Sequence, residues 1–154
     1  MKTHLDEKDV QILNLLQADG RMTNADLAKK VNLSPPSALQ RVRALEKAGL
    51  IRGYVAILDP DRLGLRLTAL VMVRLALHQD RPIEQFRKAV QEIPEILECY
   101  HVSGDFDFIL KVVVKDIRAY EQLIREKITR IKGLGQINTS FVMGVSKSTT
   151  AIPL

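Results

Sequence analysis

The sequence is poor in cysteine and has no long apolar runs. The single cysteine, Cys99, excludes an internal disulfide, and its apolar surroundings predict a buried structural thiol rather than a nucleophile. No apolar run is long enough to span a bilayer, and the N-terminal sequence MKTHLDEKDV contains no hydrophobic signal-peptide segment. We therefore expect a cytoplasmic protein without a membrane partner.

Motifs for catalysis and metal binding are also missing. The three histidines, His4, His78 and His101, are far apart and lack the spacing of metal ligands. There is no Gly-rich phosphate loop, no nucleophile elbow and no paired-carboxylate motif. The sequence thus predicts no catalytic residues, no metal and no cofactor.

Positive charge is present but unevenly distributed. With 154 residues, of which 46% are hydrophobic and 27% charged, the chain should form one large or two small folded domains. Residues 29–52 contain six cations and a single acid, Glu46, so this window accounts for the entire net charge of +5. Such a local patch is typical of a surface that binds duplex nucleic acid. The cations are Lys29, Lys30, Arg41, Arg43, Lys47 and Arg52.

The stretch from residue 23 to residue 47 has the pattern of a helix-turn-helix. Thr23 is a candidate N-cap for a first short helix. Asn32 can adopt the left-handed conformation that ends this helix and turns the chain. Ser34 then caps a second helix, with Pro35 at the first helical position, where a missing N–H costs nothing.

The second of these helices is predicted to bury one side and expose the other. The inner side is assigned to Ala38, Leu39, Val42 and Leu45. The outer side has no acid and carries Ser37, Gln40, Arg41, Arg43, Ala44 and Lys47. Hydrogen-bonding side chains followed by cations are what a helix lying in a DNA major groove requires. A helical hairpin with a merely solvated cationic face is the plainer alternative.

Flanking segments complete this unit. Leu5–Ala18 reads as a preceding helix with Asp6 as its cap, which makes a three-helix scaffold. After Gly49 the sequence LIRGYVAILDP is rich in residues that favour β-strands, which predicts a small wing or a connecting strand. Arg52 in this segment could contact a phosphate. We place a helix-turn-helix domain at 1–53, a connecting strand and linker at 54–64, and a second domain at 65–154.

The second domain alternates strands and helices in the order βαββαβ. The predicted strands are 67–77, 96–102, 106–114 and 137–145, and the predicted helices are 82–92 and 116–132, the latter capped by Asp116. A weak internal repeat matches Ile83, Phe86 and Val90 with Ile117, Tyr120 and Ile124. The pattern predicts a ferredoxin-like α+β fold with both helices on one face of an antiparallel sheet. Its uncovered apolar face predicts a homodimer.

One turn in this domain is a candidate ligand site. In Ser103-Gly104-Asp105-Phe106-Asp107, Gly–Asp is a favoured turn pair, and turn chemistry alone could explain it. Alternatively, Asp107 binds an ammonium group while the Gly104 N–H binds a carboxylate, so that the turn holds an amino acid at both ends. Thr139 and Ser140 could add hydroxyl contacts.

The whole chain resembles the Lrp/AsnC ("feast or famine") family of bacterial and archaeal transcription factors. The likeness begins at LDEKDVQIL (5–13), continues in DGRMTNADLAKKVNLSP (19–35) and RVRALEKAGLIRGYVAILDP (41–60), and resumes in ECYHVSGDFDFILK (98–111). The order and spacing of these blocks are far more specific than a generic helix-turn-helix.

The resemblance implies an amino-acid-responsive regulator of transcription. Its second domain would be a RAM (regulation of amino acid metabolism) domain, which dimerises and often assembles dimers into octamers. An amino acid such as leucine, or another small metabolite, would bind where dimers meet. The residues that the resemblance implies for DNA are Ser37, Gln40, Arg41 and Arg43. The charge pattern adds Lys47 and Arg52 as predicted phosphate contacts. Those implied for the effector are Gly104, Asp105 and Asp107, with Thr139, Ser140 and Phe141 opposite.

Two other functions stay open at this point. An octamer carrying the basic patch on every subunit could compact DNA as an architectural protein that needs no effector. From a different class, the second domain could be a small ferredoxin-like enzyme that uses Asp107 and His101 for acid–base chemistry, although no other catalytic motif accompanies them.

Overall fold

The computed structural model describes residues 5–76 and 80–154. The described chain divides into two compact units, one formed by residues 5–57 together with 147–154 and the other by the described part of 58–146. His4 and His78 lie outside the described residues.

Three helices form the first unit, each started by a side-chain cap. They are α1 (Glu7–Ala18), α2 (Asn24–Lys30) and α3 (Pro35–Lys47). The carboxylate of Asp6 accepts the N–H of Asp9 in a reciprocal capping box. Thr23 caps α2 and Ser34 caps α3, while Asn32 has a φ of 53° at the corner between them. These features confirm the predicted helix-turn-helix.

The core of the first unit lies between the three helices. Its buried side chains are Ile12, Leu13, Leu27, Ala28, Val31, Ala38 and Leu45. The prediction that Leu39 lies on the inner side is wrong, because its side chain is 37% exposed. Consecutive residues are about 100° apart around a helix, so the neighbour of a central core residue such as Ala38 points away from the core.

The predicted strand between residues 50 and 58 is not formed. Within the described residues this segment pairs with no strand, and Val55 and Ile57 are 87% and 78% exposed. A composition that favours β-strands does not produce a strand where no neighbouring strand accepts and donates the backbone hydrogen bonds. The segment is instead attached to α3, where the hydroxyl of Tyr54 donates to Glu46 at 3.1 Å.

The C-terminal residues also pack on the first unit. The side-chain amide of Gln17 on α1 donates to the carbonyl of Ile152 at 3.0 Å, and its oxygen accepts the Ile152 N–H at 2.6 Å. Residues 147–154 are therefore held by α1 through a backbone-like pair of hydrogen bonds.

The second unit has the predicted ferredoxin-like topology. Its elements are β1 (Leu67–Leu75), α4 (Asp80–Gln91), β2 (Ile96–His101), β3 (Phe108–Val114), α5 (Ile117–Glu126), a 3₁₀ turn (Ile128–Arg130) and β4 (Leu134–Phe141). The sheet order is β2-β3-β1-β4, and every neighbouring pair is antiparallel. The two outer strands therefore each pair with one of the two central strands, as the split βαβ arrangement requires.

One face of this sheet carries the core. Alternate residues of β1 and β3, including Val71, Val73 and Leu110, are fully buried under the helices, and the rings of Phe86 and Phe108 lie 4.7 Å apart. The internal repeat predicts equivalent positions for Ile83 and Ile117, but Ile117 does not join the core, because it is 56% exposed. Leu123, Ile128 and Tyr120 supply the buried side chains on that side.

The other face of the sheet is partly apolar. The register places Leu70 and Met72 of β1 beside Ile109 of β3 on this face. Lys111 lies on the same face directly opposite Leu70, and it forms a 2.9 Å ion pair with Glu98.

Cys99 is exposed, which contradicts the predicted buried thiol. The residue lies on the edge strand β2, which has a neighbouring strand, β3, on one side only. Partial desolvation nevertheless raises the pKa of the Cys99 thiol, so the group stays protonated near neutral pH and is a weak nucleophile.

The cap of α5 provides a test of the helix assignment. Asp116 accepts the N–H of Ala119 at 2.9 Å, so Asp116→Ala should lower the free energy of unfolding by about 1 kcal/mol in urea titrations. The matched variant Asp116→Asn keeps an acceptor oxygen and should lose clearly less. Equal losses in the two variants would show that the cap hydrogen bond is unimportant.

Candidate functional site

The outward face of α3, defined here as Gln40, Arg43 and Lys47, is exposed and free of acids. These residues are spaced by three and four positions and therefore follow one line along the helix. Among the described residues, no carboxylate lies within ion-pair distance of Arg43 or Lys47. Both cations are therefore available to a polyanion.

Arg41 does not lie on this face, and the prediction that it does is wrong. Its Nη1 donates to Asp6 at 2.7 Å and to Asp9 at 2.8 Å, both at the start of α1. On the helical wheel, position 41 lies about 60° from Ala38 and about 40° from Leu45, at the edge of the buried side, so its side chain leaves along the flank facing α1.

The contact between Arg41 and α1 is electrostatically favourable at neutral pH. The backbone N–H of Asp9 and the guanidinium of Arg41 both lower the pKa of the Asp6 carboxyl. Hydrogen bonds to Asp6 and Asp9 in turn raise the pKa of Arg41. The ion pair therefore connects the start of α1 with the middle of α3 and stays charged.

The remaining predicted DNA contacts lie around α3. Ser37, in the first turn, is exposed, and its hydroxyl lies 2.8 Å from that of Ser34. Arg52 is exposed in the segment after α3, and Lys29 and Lys30 are exposed at the end of α2. Five exposed cations thus remain in the basic window after Arg41 is paired.

The 103–107 turn is held against the end of β1. The N–H of Asp107 donates to the carbonyl of Val73 at 2.9 Å, and the Asp107 carboxylate accepts the Leu75 N–H at 2.7 Å. Gly104 has a φ of +120°, which strongly favours glycine, and it is exposed beside Asp105. Asp107 therefore has the structural role expected of a turn residue while lying next to an open backbone.

The three predicted residues of β4 are on different faces of the sheet. Thr139 and Phe141 face the helices, where the Thr139 hydroxyl is hydrogen-bonded to that of Tyr120 and the Phe141 ring packs edge-on against Tyr120 at 5.2 Å. Ser140 lies on the other face of the sheet, where it pairs with Leu70 of β1.

One chain does not bring these residues to the turn. Phe141 pairs with Ala69 and Thr139 with Val71, whereas Asp107 binds at Leu75. At about 3.3 Å per residue, these pairing positions are roughly 20 Å and 13 Å from Leu75 along β1. The two halves of the predicted effector site are therefore separate within a subunit.

The structure adds one residue to the turn that sequence reasoning missed. Arg74 of β1 donates from Nε to the carbonyl of Asp105 at 2.6 Å, and its guanidinium lies 5.6 Å from the centre of the Phe106 ring. The only sequence signal was a lone cation near the end of an apolar strand, which does not reveal the turn it meets.

Residues 5–76 and 80–154 contain neither a metal-binding cluster nor a membrane-spanning helix. In those residues, no group of three or more His, Cys, Asp and Glu side chains could hold a metal ion. None of the described helices is long and apolar enough to span a bilayer. His101 stacks on Phe108 at 4.8 Å, with Nδ1 3.3 Å from Arg87.

Comparison with known families is decisive for this arrangement. Residues 68–152 match the model of the Lrp/AsnC ligand binding domain, and residues 5–52 match a winged helix-turn-helix DNA-binding model. The chain belongs to the Lrp/AsnC family. It is thus a DNA-binding transcriptional regulator with a ligand-binding domain, as the resemblance implied.

Individual relatives of known sequence or structure match this chain over nearly its whole length. The leucine-responsive regulatory protein of Escherichia coli K12 is 48% identical over 141 residues, which cover 90% of this chain and 85% of the relative. A transcriptional regulator from Neisseria meningitidis, solved as a complex with L-Met, has a TM-score of 0.93 and 34% identity, with 97% of each chain covered. An AsnC family regulator from Agrobacterium tumefaciens has a TM-score of 0.91 and 39% identity, with the same coverage. These relatives are transcriptional regulators, not enzymes.

The Arg41 ion pair predicts a pH-dependent loss of stability in Arg41→Ala. Because the folded-state pKa of Asp6 lies below its ordinary value of 3.8, the contribution is complete above that value and is lost as the pH falls through the lowered one. Urea unfolding should therefore show a less stable variant at pH 7, with the difference shrinking in acid. Arg43→Ala, which removes an unpaired cation from the same helix, should be near wild type. A stability deficit in Arg41→Ala that is independent of pH would contradict this interpretation.

Proposed function

We propose that this Lrp/AsnC regulator binds specific DNA sequences through α3, and that an amino acid bound to its second unit modulates this binding. The outward face of α3 is the observation that carries the proposal. It presents an amide and two unpaired cations without a competing acid, on a helix whose other side is buried in a three-helix core.

The residues of the DNA-binding surface divide by chemistry. Gln40 and Arg43 can form bidentate hydrogen bonds with the edges of adenine and guanine, respectively. Lys47 carries a compact positive charge and Arg52 a planar one, and both suit contacts with phosphates. Ser37 adds a hydroxyl near the start of the helix. Arg41 supports binding indirectly, because its ion pairs with Asp6 and Asp9 connect α3 to α1.

The 103–107 turn is the proposed effector site. It combines the exposed backbone of Gly104 with the carboxylates of Asp105 and Asp107, which suits an ammonium and a carboxylate on neighbouring atoms. The relative solved with L-Met and the relatives named as leucine-responsive support an amino acid as the ligand.

The uncovered sheet face and the separated half-sites support a homo-oligomer. Leu70, Met72 and Ile109 leave an apolar surface that a second copy could cover. Since Thr139, Ser140 and Phe141 lie far from the turn of their own chain, they could meet an effector only from another subunit. We propose a dimer that assembles further, with an octamer as the expected size, acting on DNA in the cytoplasm.

DNA recognition is tested by comparing two kinds of substitution on the outward face of α3. Gln40→Ala or Arg43→Ala should weaken binding to the operator by about 1–3 kcal/mol and relax discrimination against mutated sites. Lys47→Ala should weaken binding to all sequences and reduce the slope of log K against log salt by about 1. Band-shift titrations with the protein's own promoter region would measure both.

Wild-type binding that does not depend on sequence would overturn the specific regulator and favour an architectural protein. The acid-free face of α3 would then serve only as a cationic surface.

Effector binding is tested by a thermal-shift and sedimentation screen against the twenty amino acids. A ligand of the native state raises the melting temperature, and we expect one group of amino acids to do so and to change the assembly state. Asp105→Asn and Asp107→Asn should abolish that response while operator binding without effector is retained. Asn at 107 keeps an oxygen for the Leu75 N–H, and Asp61→Asn, at an exposed turn, is the matched control. If both turn variants respond like wild type, the effector binds elsewhere.

A further inference from the structure

We propose that Arg74 binds the carboxylate of the effector, and that this residue makes the protein select zwitterionic amino acids over derivatives that lack the carboxylate, such as their amides. The inference rests on the proposed effector function of the 103–107 turn. It adds a residue from a different element, β1, which nothing in the turn's own sequence indicates.

The geometry holds the guanidinium at the turn. Arg74 reaches from β1 and uses Nε for one hydrogen bond, at 2.6 Å, to the carbonyl of Asp105, the residue after Gly104. Its guanidinium lies 5.6 Å from the ring centre of Phe106, a distance at which cation and ring attract each other. Two neighbours along the turn thus orient the charged group.

Regular strand alternation brings this side chain to the turn. Arg74 follows Leu70 and Met72 on the face of β1 that lies opposite the buried residues Val71 and Val73. The register shift beside this point lies on β4, where Gly135 is the extra residue and a Cβ would come within 3.0 Å of the Arg74 carbonyl oxygen. The guanidinium therefore extends from the face of the sheet that the helices leave uncovered.

Most of the hydrogen-bonding capacity of Arg74 is unused. Guanidinium has five N–H donors, and only the Nε–H is bonded here. Within the described residues, no carboxylate pairs with Arg74 and no acceptor is bonded to its Nη atoms. The side chain is partly exposed, so a ligand can reach these donors from solvent.

Charge balance at the turn identifies the ligand class. Asp105 and Asp107 can attract an ammonium group, but a free α-amino acid also carries a carboxylate that these acids would repel. A planar guanidinium beside them neutralises that carboxylate through two parallel hydrogen bonds, which a single backbone N–H cannot do. The site is complementary to a zwitterion, and a ligand without the carboxylate loses the contact with Arg74.

The test compares two amino acids with their amides. Affinities of L-methionine, L-leucine, methioninamide and leucinamide are measured by calorimetry at about pH 6.5, below the usual pKa of an α-amino group. The wild-type protein should prefer the acid over its amide by roughly ten- to a hundredfold, as expected for a charge-assisted contact. In Arg74→Gln this preference should largely disappear, and Arg74→Lys should restore part of it. Arg118→Gln, at an exposed position on α5, should behave like wild type.

The outcomes separate this inference from the function on which it rests. If the wild-type protein binds the acids and Arg74→Gln keeps the same preference for acid over amide, Arg74 is not the carboxylate ligand, while the effector site stands. A uniform loss for acids and amides would show that Arg74 only supports the turn, which also overturns the proposal. Binding of none of the four compounds by the wild-type protein would count against the effector function itself.

Discussion

Antiparallel pairing between β1 and β3 is the constraint on which the ligand-binding unit depends. It buries the alternate side chains of both central strands beneath the helices, and it brings the 103–107 turn to the end of β1. Asp107 completes this pairing with bonds to the Val73 carbonyl and the Leu75 N–H. A shift by one residue would exchange the two faces of the sheet and separate Arg74 from the turn. The packing of the core and the geometry of the candidate site therefore both depend on the register of the β1–β3 pair.

The DNA-binding unit depends on a smaller set of contacts. Each helix begins with a side chain that accepts an N–H three residues later, and Ala38 and Leu45 seat α3 on the core. The ion pair from Arg41 to Asp6 and Asp9 adds a polar tie between α1 and α3. By occupying one cation in scaffolding, the fold leaves the outward face to Gln40, Arg43 and Lys47. The residues that stabilise α3 and those proposed to recognise DNA thus lie on different sides of the same helix.

The candidate effector site illustrates how one turn serves two purposes. The carboxylate of Asp107 helps hold the turn on the sheet, while Gly104 leaves its backbone open because no side chain covers it. Thr139 and Phe141 instead contact Tyr120 on the helical face of the sheet, and Ser140 lies on the other face. An incomplete site in one subunit is consistent with a ligand that senses, or alters, how subunits assemble.

The sequence by itself determined the helix-turn-helix, the order of strands and helices, and nearly every helix start. These features depend on local chemistry, since a cap, a proline or a left-handed Asn32 acts on residues only a few positions away. Only the tertiary structure decided that Arg41 turns to α1, that residues 50–58 form no strand, that Cys99 is exposed, and that Arg74 meets the 103–107 turn. Each of these outcomes depends on a partner far away in the sequence, whose position is set by packing and strand register rather than by neighbouring residues.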